Sequence, residues 1–402
     1  MTDALSGVTV LDFSRHMAAP YGTMLLGDFG ADVIKVESVP HGDGTRRTGT
    51  AFIDGESGLF LQWNRNKRSV ALDLRTEEAK TVIWQLIERS DVLVESYRPG
   101  VIDDMGFGYG AVSDVNPRLI YCSLSAFGSH GPLAQYPGTD PVVQAMSGVM
   151  SLTGERDGGP LLVGVPVADY TGTMTLVQAV LLGLLARERT GRGQHADIPM
   201  LAGLVFSLTT RLASYWADGK DPERHGSAHS VVAPYQVYQT SDGDVVAGAW
   251  QPEAWPRFCA AIDRPDLVED PRFSTNIDRV DNREDLNLIL DAIFPTRTTY
   301  EWEERFHAAK ALFGEVCTIS QILSHPQIEA LGMVQSVEHP TLGSIPQLGP
   351  PIWLSDTPGA IRSAPPVYGQ HTTEILQSIG YSVDEIANLS KRGVVVAPEL
   401  TE

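Results

Sequence analysis

VTVLDFSRHMAAPYGTMLLGDFGADVIKVE, residues 8–37, is the stretch on which the fold turns. Residues 8–13 form an apolar run of strand length. Residues 20–29 follow with helical character and stop at Gly30, a residue suited to the left-handed conformation that closes helices, and residues 32–37 are a second apolar run. This is a β-α-β opening. Further apolar runs at 69–74, 91–95 and 119–123, with a helical stripe of Val82, Ile83 and Leu86 between residues 76 and 89, extend the alternation. Strands that alternate with helices predict an α/β fold with a Rossmann-like parallel sheet covered by helices.

A dinucleotide oxidoreductase opens in the same way, and Glu37 stands where such a fold keeps its ribose-binding acid. The first turn excludes that reading. It runs Ser-Arg-His-Met-Ala-Ala-Pro-Tyr-Gly, residues 14–22, and lacks the G-x-G-x-x-G that lets the backbone approach a pyrophosphate.

Beyond the opening unit, residues 171–215 predict two long apolar helices separated by Thr-Gly-Arg-Gly-Gln-His-Ala-Asp-Ile, 190–198, whose last residues resemble a short strand. The polar segment 217–229 suits a linker, and 230–324 reads as a smaller α+β unit with a loop-like centre at 264–283. Seven prolines between 338 and 368 predict an extended segment that returns the chain to the first unit. The amphipathic tail 372–392, with Ile375, Leu376, Ile379 and Ile386, would finish that unit. The expected division is therefore 1–216 for the first part of a large domain, 217–229 for a linker, 230–324 for a small domain and 325–402 for the return and completion of the large one.

Composition narrows the partners. A chain of 402 residues with 43% hydrophobic content can bury a large core, and a formal charge of −20 argues against nucleic acid or an anionic membrane surface. Cys122, Cys259 and Cys317 lie far apart, with neither C-x-x-C spacing nor paired histidines, so no metal site is expected. The first residues carry no basic segment followed by an apolar one, and no apolar stretch reads as long enough to span a bilayer, so the cytoplasm is the expected compartment.

The chemistry concentrates in Gly-Pro-Leu-Leu-Val-Gly-Val-Pro-Val-Ala-Asp-Tyr-Thr-Gly-Thr, residues 159–173, around the lone acid Asp169. An ionised carboxylate can attack an activated acyl group without the separate base that a serine needs. Asp169 also precedes the apolar run 173–185, where it could act as a helix N-cap. The two readings are compatible, because a helix N-terminus stabilises the anion.

With Asp169 in view, the chain resembles the class III coenzyme A transferase family, which includes formyl-CoA:oxalate transferase and carnitine CoA-transferase. The likeness runs nearly end to end. Its markers are Leu-Ser-Gly-Val-Thr-Val-Leu-Asp-Phe (5–13), Leu-Gly-Asp-Phe-Gly-Ala-Asp-Val-Ile-Lys-Val-Glu (26–37), Asn-Arg-Asn-Lys-Arg-Ser (64–69), Glu-Ser-Tyr-Arg-Pro-Gly (95–100), Thr-Gly-Arg-Gly-Gln (190–194) and Gly-Gln-His-Thr-Thr-Glu-Ile-Leu (369–376).

The resemblance implies an interlocked homodimer. It implies that coenzyme A moves, as substrate and with no prosthetic group, from an acyl-CoA donor to a small carboxylic acid, through a mixed anhydride on Asp169 and an aspartyl-CoA thioester. It also places Ala18, Leu72, Arg75, Tyr97 and Arg98 on CoA-binding positions and Asp140 beside the thioester. Arg46, Arg47, Arg65, Lys67 and Arg68 are further candidates for the CoA phosphates, and Gly172 is a candidate donor to the oxyanion.

The chain departs from formyl-CoA transferase at several positions. Ser38 and Asp104 stand where that enzyme has phosphate-binding arginines, Met17 replaces a glutamine, and the stretch matching its glycine-rich lid, 225–238, holds only Gly226. Two alternatives share the fold. An α-methylacyl-CoA racemase needs a His in Gly-His-Asp, where this chain reads Gly138-Thr139-Asp140. A non-catalytic acyl-CoA-binding protein would have no use for Asp169.

Overall fold

The computed structural model describes residues 3–398. Six parallel strands form the main sheet: β1 (Thr9–Asp12), β2 (Asp32–Ser38), β3 (Lys67–Leu72), β4 (Val92–Glu95), β5 (Ile120–Ser125) and β6 (His195–Pro199). Their order across the sheet is β3-β2-β1-β4-β5-β6, with the short strand Val395–Val396 added antiparallel on the outer edge of β3. The chain therefore winds outward from β1 in one direction and then from β4 in the other. The reversal between β1 and β4 opens a crevice at the carboxyl ends of those strands, where open α/β sheets bind ligands.

Strand alternation supplies both faces of the sheet. Leu11, Ile34 and Leu93 point into one core with Val82, Ile83 and Leu86 of α2 (Glu77–Arg89) and with Ile375, Leu376, Ile379 and Ile386 of the tail. Val10, Val33 and Val92 point into the other, with Leu26 of α1 (Ala18–Asp28) and Leu176 and Val180 of a long helix, Val167–Thr190. Burying one such side chain contributes about 1.5–3 kcal/mol, against about 1 kcal/mol for a side-chain cap such as Thr76 on α2, so the two apolar faces outweigh local helix signals.

The chain divides into two compact units. One comprises the residues up to Val149, Leu162–Leu212 and the residues from Gln327 on; the other comprises Met150–Leu161 and Ala213–Pro326. The second unit holds a three-stranded antiparallel sheet of Leu312–Glu315, Asp244–Gly248 and Tyr235–Gln239. Its core is aromatic, built on Trp255, Phe258, Phe294, Trp302 and Phe306.

Several local expectations need revision. The region 264–283 is more than loop: Thr275 and Asp278 form a capping box that starts a helix at Asn276–Asp281, and Leu267 and Phe273 are buried. The proline-rich return contains strand Gly343–Leu348, paired with Val334–His339. Pro346 is accepted there because a two-stranded ribbon has an open edge for the position without an N–H. The second apolar helix after residue 199 is two helices, Met200–Phe206 and Thr209–Asp218. The helix Val167–Thr190 is long and apolar enough to cross a bilayer by length and composition, contrary to the sequence reading, although its inner face packs in the sheet unit.

Candidate active site

The carboxyl ends of β1 and β4 are tied together. The N–H of Arg15 donates to Ser96 Oγ at 2.8 Å, and Ser96 Oγ returns a bond to the Arg15 carbonyl at 3.3 Å. From this turn the Arg15 guanidinium lies 5.0 Å above the Tyr97 ring and reaches Ser38 Oγ at 3.4 Å. Below the turn, Lys35 Nζ donates to the Ser14 carbonyl at 3.0 Å and pairs with Asp43 at 2.9 Å. Glu95 Oε2 accepts the Tyr97 N–H at 2.8 Å and fixes the other lip. Burial, with Asp103 and Asp197 adding to it, pushes the Glu95 carboxyl up to about 7. Arg15 and Arg98 make no ion pair among the described residues, and they follow β1 and β4, the two strands between which the sheet order reverses.

Asp169 is the third residue of the helix Val167–Thr190, whose N-cap is Pro166. Pro166 has no side-chain hydrogen bond to offer, and the missing cap comes from elsewhere in the chain. Asp140, the first residue of the helix Asp140–Met146, accepts the N–H of Ala168 at 2.7 Å and that of Asp169 at 3.2 Å on its Oδ1. Its Oδ2 accepts Gln144 Nε2 at 2.6 Å. The Asp169 carboxylate is therefore not a cap, and it accepts no hydrogen bond among the described residues. Burial, with the Asp140 charge adding to it, pushes the Asp169 carboxyl up to about 6.

One turn further along, Thr173 Oγ1 donates to the Ala18 carbonyl at 2.7 Å. Residues i and i+4 share a helix face, so this contact turns the Asp169 face toward the start of α1 and the Arg15 turn. Gly22 allows the approach, since a Cβ there would lie 2.8 Å from Leu176 Cδ2.

The other residues named from sequence separate into two groups. Tyr97 and Arg98 follow β4 and Ala18 opens α1 after β1, all beyond the carboxyl ends of the strands where the sheet order reverses, although Ala18 has its side chain buried and its carbonyl engaged. Leu72 does not: its side chain is 0% exposed in the apolar core, because alternation along β3 sends it inward. Arg75 is 80% exposed and forked onto its near neighbour Asp73 at 2.7 and 2.8 Å.

Four of the five additional cations are committed to carboxylates. Arg46 is bidentate to Glu37 and lies 3.6 Å above the Phe60 ring; Arg65 pairs with Asp28, Lys67 with Asp12, and Arg68 with Asp32 and Glu374. Burial holds the Lys67 ammonium down to about 8. Arg47 is exposed and, among the described residues, donates only to the His41 carbonyl. Gly172 lies within the helix, and a Cβ there would sit 3.1 Å from Met200 Cγ, so it serves close packing rather than an oxyanion. Arg15 was missed in the sequence. Its signal was present, a cation two residues past a strand end, in the turn read only for the glycines it lacks.

Comparison with known proteins bears on what binds here. The profile of the family described as CoA-transferase family III matches residues 5–372. Succinyl-CoA:glutarate CoA-transferase of Mus musculus is 37% identical over 97% of this chain and 90% of its own length. Formyl-CoA:oxalate CoA-transferase of Streptomyces avermitilis is 33% identical over 98% of this chain and 100% of its own. Among solved structures, a CAIB/BAIF family protein from Brucella suis superposes with a TM-score of 0.86 at 33% identity, covering 94% of this chain and all of that one.

Proposed function

We propose, from the premise that this chain belongs to CoA-transferase family III, that Asp169 is the residue through which it transfers coenzyme A. The enzyme moves CoA from an acyl-CoA donor to a carboxylic acid. The observation that carries the role of Asp169 is the division of labour at the helix start: Asp140 takes the cap amides, and the Asp169 carboxylate has no hydrogen-bond partner among the described residues.

An oxygen of Asp169 attacks the donor thioester carbonyl, and the tetrahedral adduct collapses with expulsion of CoA thiolate, leaving an acyl-aspartyl anhydride. The thiolate then attacks the aspartyl carbonyl. The donor leaves as its carboxylate, and Asp169 now carries CoA as a thioester. An acceptor carboxylate repeats the sequence in reverse, giving the new acyl-CoA and free Asp169. No proton is consumed, which suits a site where, among the described residues, no side chain is hydrogen-bonded to the Asp169 carboxylate. Holding CoA between half-reactions makes each attack effectively intramolecular.

Arg15, Tyr97 and Arg98, with Ala18 behind them, form the CoA-binding part of our reading, and Asp140 acts on Asp169 rather than on the phosphates. Arg15 reaching over Ser38 supplies a cation beside a position where formyl-CoA transferase has an arginine. Dicarboxylates are the proposed acids, because relatives named for succinyl-CoA with glutarate or D-citramalate cover nearly the whole chain. Thr139 offers no base for α-proton abstraction, which disfavours the racemase alternative.

The larger unit is the CoA-binding domain in this reading. A homodimer is supported by large apolar side chains left bare in one copy, Phe206 at 81% and Trp216 at 76% exposed. Three unpaired cysteines suit a reducing compartment such as the cytoplasm.

The test is incubation with succinyl-CoA and a panel of acids, followed by hydroxylamine trapping and mass analysis. A hydroxamate on Asp169 supports the reading. Solvent deuterium entering the α-position of the acyl group, with no adduct, overturns it.

A further inference from the structure

We infer that Gln144, a residue outside the reacting centre, is a positioning residue for Asp169; this rests on the nucleophile reading above. Gln144 is 1% exposed and lies on the helix Asp140–Met146 one turn after Asp140, so the two side chains share a face. Its amide is used at both ends. Nε2 donates to Asp140 Oδ2 at 2.6 Å, and Oε1 accepts the N–H of Val163 at 3.0 Å.

Val163 belongs to the segment that leads into the nucleophile helix, and Asp140 holds the first amides of that helix. One side chain thus braces both approaches to Asp169. Glutamine is the residue type for this, since it offers a donor and an acceptor on one planar group of the required reach. An ionised glutamate lacks the donor, and a methionine of similar length lacks both.

The donor to Asp140 has a second effect. Asp140 oxygens face only donors here: the Ala168 and Asp169 amides and the Gln144 amide. That set keeps Asp140 an acceptor for the helix start. The charged groups around it are Asp169 itself, whose backbone it binds, and no cation pairs with it among the described residues.

The test uses Gln144→Met and Gln144→Glu in the full-length enzyme, with hydroxylamine trapping of wild type run first. For Gln144→Met, kcat falls by about tenfold or more at every pH while KM for succinyl-CoA stays within about twofold, because the reacting group is displaced and the CoA site is untouched. For Gln144→Glu, two carboxyls face each other and share one proton at low pH, which restores a donor to Asp140. Its kcat relative to wild type is therefore near unity at about pH 6 and falls by about tenfold by pH 8.5.

A pH-independent ratio for Gln144→Glu, or an unchanged kcat for Gln144→Met, overturns the inference. If Gln144→Met does not fold, the Gln144→Glu ratio decides alone. Failure of wild type to form a hydroxamate on Asp169 refutes the nucleophile reading instead, so the two failures are distinct.

Discussion

Asp140 and Asp169, 29 residues apart in the chain, meet through a single bond from the Asp169 N–H to Asp140 Oδ1 at 3.2 Å. Two acids that would repel side chain to side chain are joined backbone to side chain. The arrangement caps the helix with one carboxylate and leaves the other available, and the charge of the first adds to the burial that raises the proton affinity of the second.

Replacing Asp140 by Asn removes that charge and keeps an oxygen for the helix amides. The acidic limb of kcat/KM, expected near pH 6 in wild type, moves to lower pH as the smaller of the two causes is lost, while burial still holds the Asp169 carboxyl above its ordinary value. Activity also drops several-fold, since the new NH2 opposes that of Gln144. Asp140→Ala loses the cap outright and lowers stability by about 1–2 kcal/mol, readable by urea denaturation.

Asp169→Asn reduces CoA exchange by on the order of 10³ or more, measured by steady-state turnover. The same change stabilises the fold at neutral pH. The folded carboxyl at about 6 lies above its ordinary 3.8, so between those values the folded state holds a proton the unfolded chain has released, and stability falls as pH rises. Asparagine removes that penalty, giving on the order of 1–2 kcal/mol at pH 8 and little near pH 4. Equal denaturation midpoints at pH 8 would contradict the assigned burial.

Arginines in the crevice and arginines in the core behave differently. Arg15→Ala and Arg98→Ala each raise KM for acyl-CoA by about tenfold, more at low salt, with a smaller effect on thermal stability. Arg46→Ala and Arg65→Ala strand Glu37 and Asp28 as buried charges and destabilise by about 3–5 kcal/mol. Tm and KM measured on the four variants separate the two classes.

Glu95→Gln is expected to raise the denaturation midpoint at pH 8 and leave it unchanged near pH 4. Burial lifts the Glu95 carboxyl to about 7 from an ordinary 4.5, so its ionisation at higher pH opposes folding. The amide oxygen still accepts the Tyr97 N–H, so the turn that carries Tyr97 and Arg98 keeps its shape.

Much of the fold was legible along the chain. Apolar runs at β1, β2 and β4, the stripe on α2 and the stop at Gly30 are each decided within a few residues by sterics and by which side chains avoid water. The nucleophile candidate was legible as well, from a motif. Its bland alternative, Asp169 as a cap, was not resolvable in one dimension, because the helix starts at Val167 and draws its cap from Asp140.

The cations show the same boundary. By itself the sequence determined an alternating α/β chain, a family likeness, and a carboxylate placed at a helix start. Tertiary structure alone decided which charges remain free for a ligand. Arg46 meets the Pro366 carbonyl across 320 residues and Arg65 meets Gln347 across 282, while the guanidinium of Arg15, in the turn after β1, reaches only the neutral Ser38 hydroxyl and the Tyr97 ring among the described residues. Periodicity is a local property that each segment carries with it, whereas the partner of a charge depends on distances that exist only after the sheet has closed.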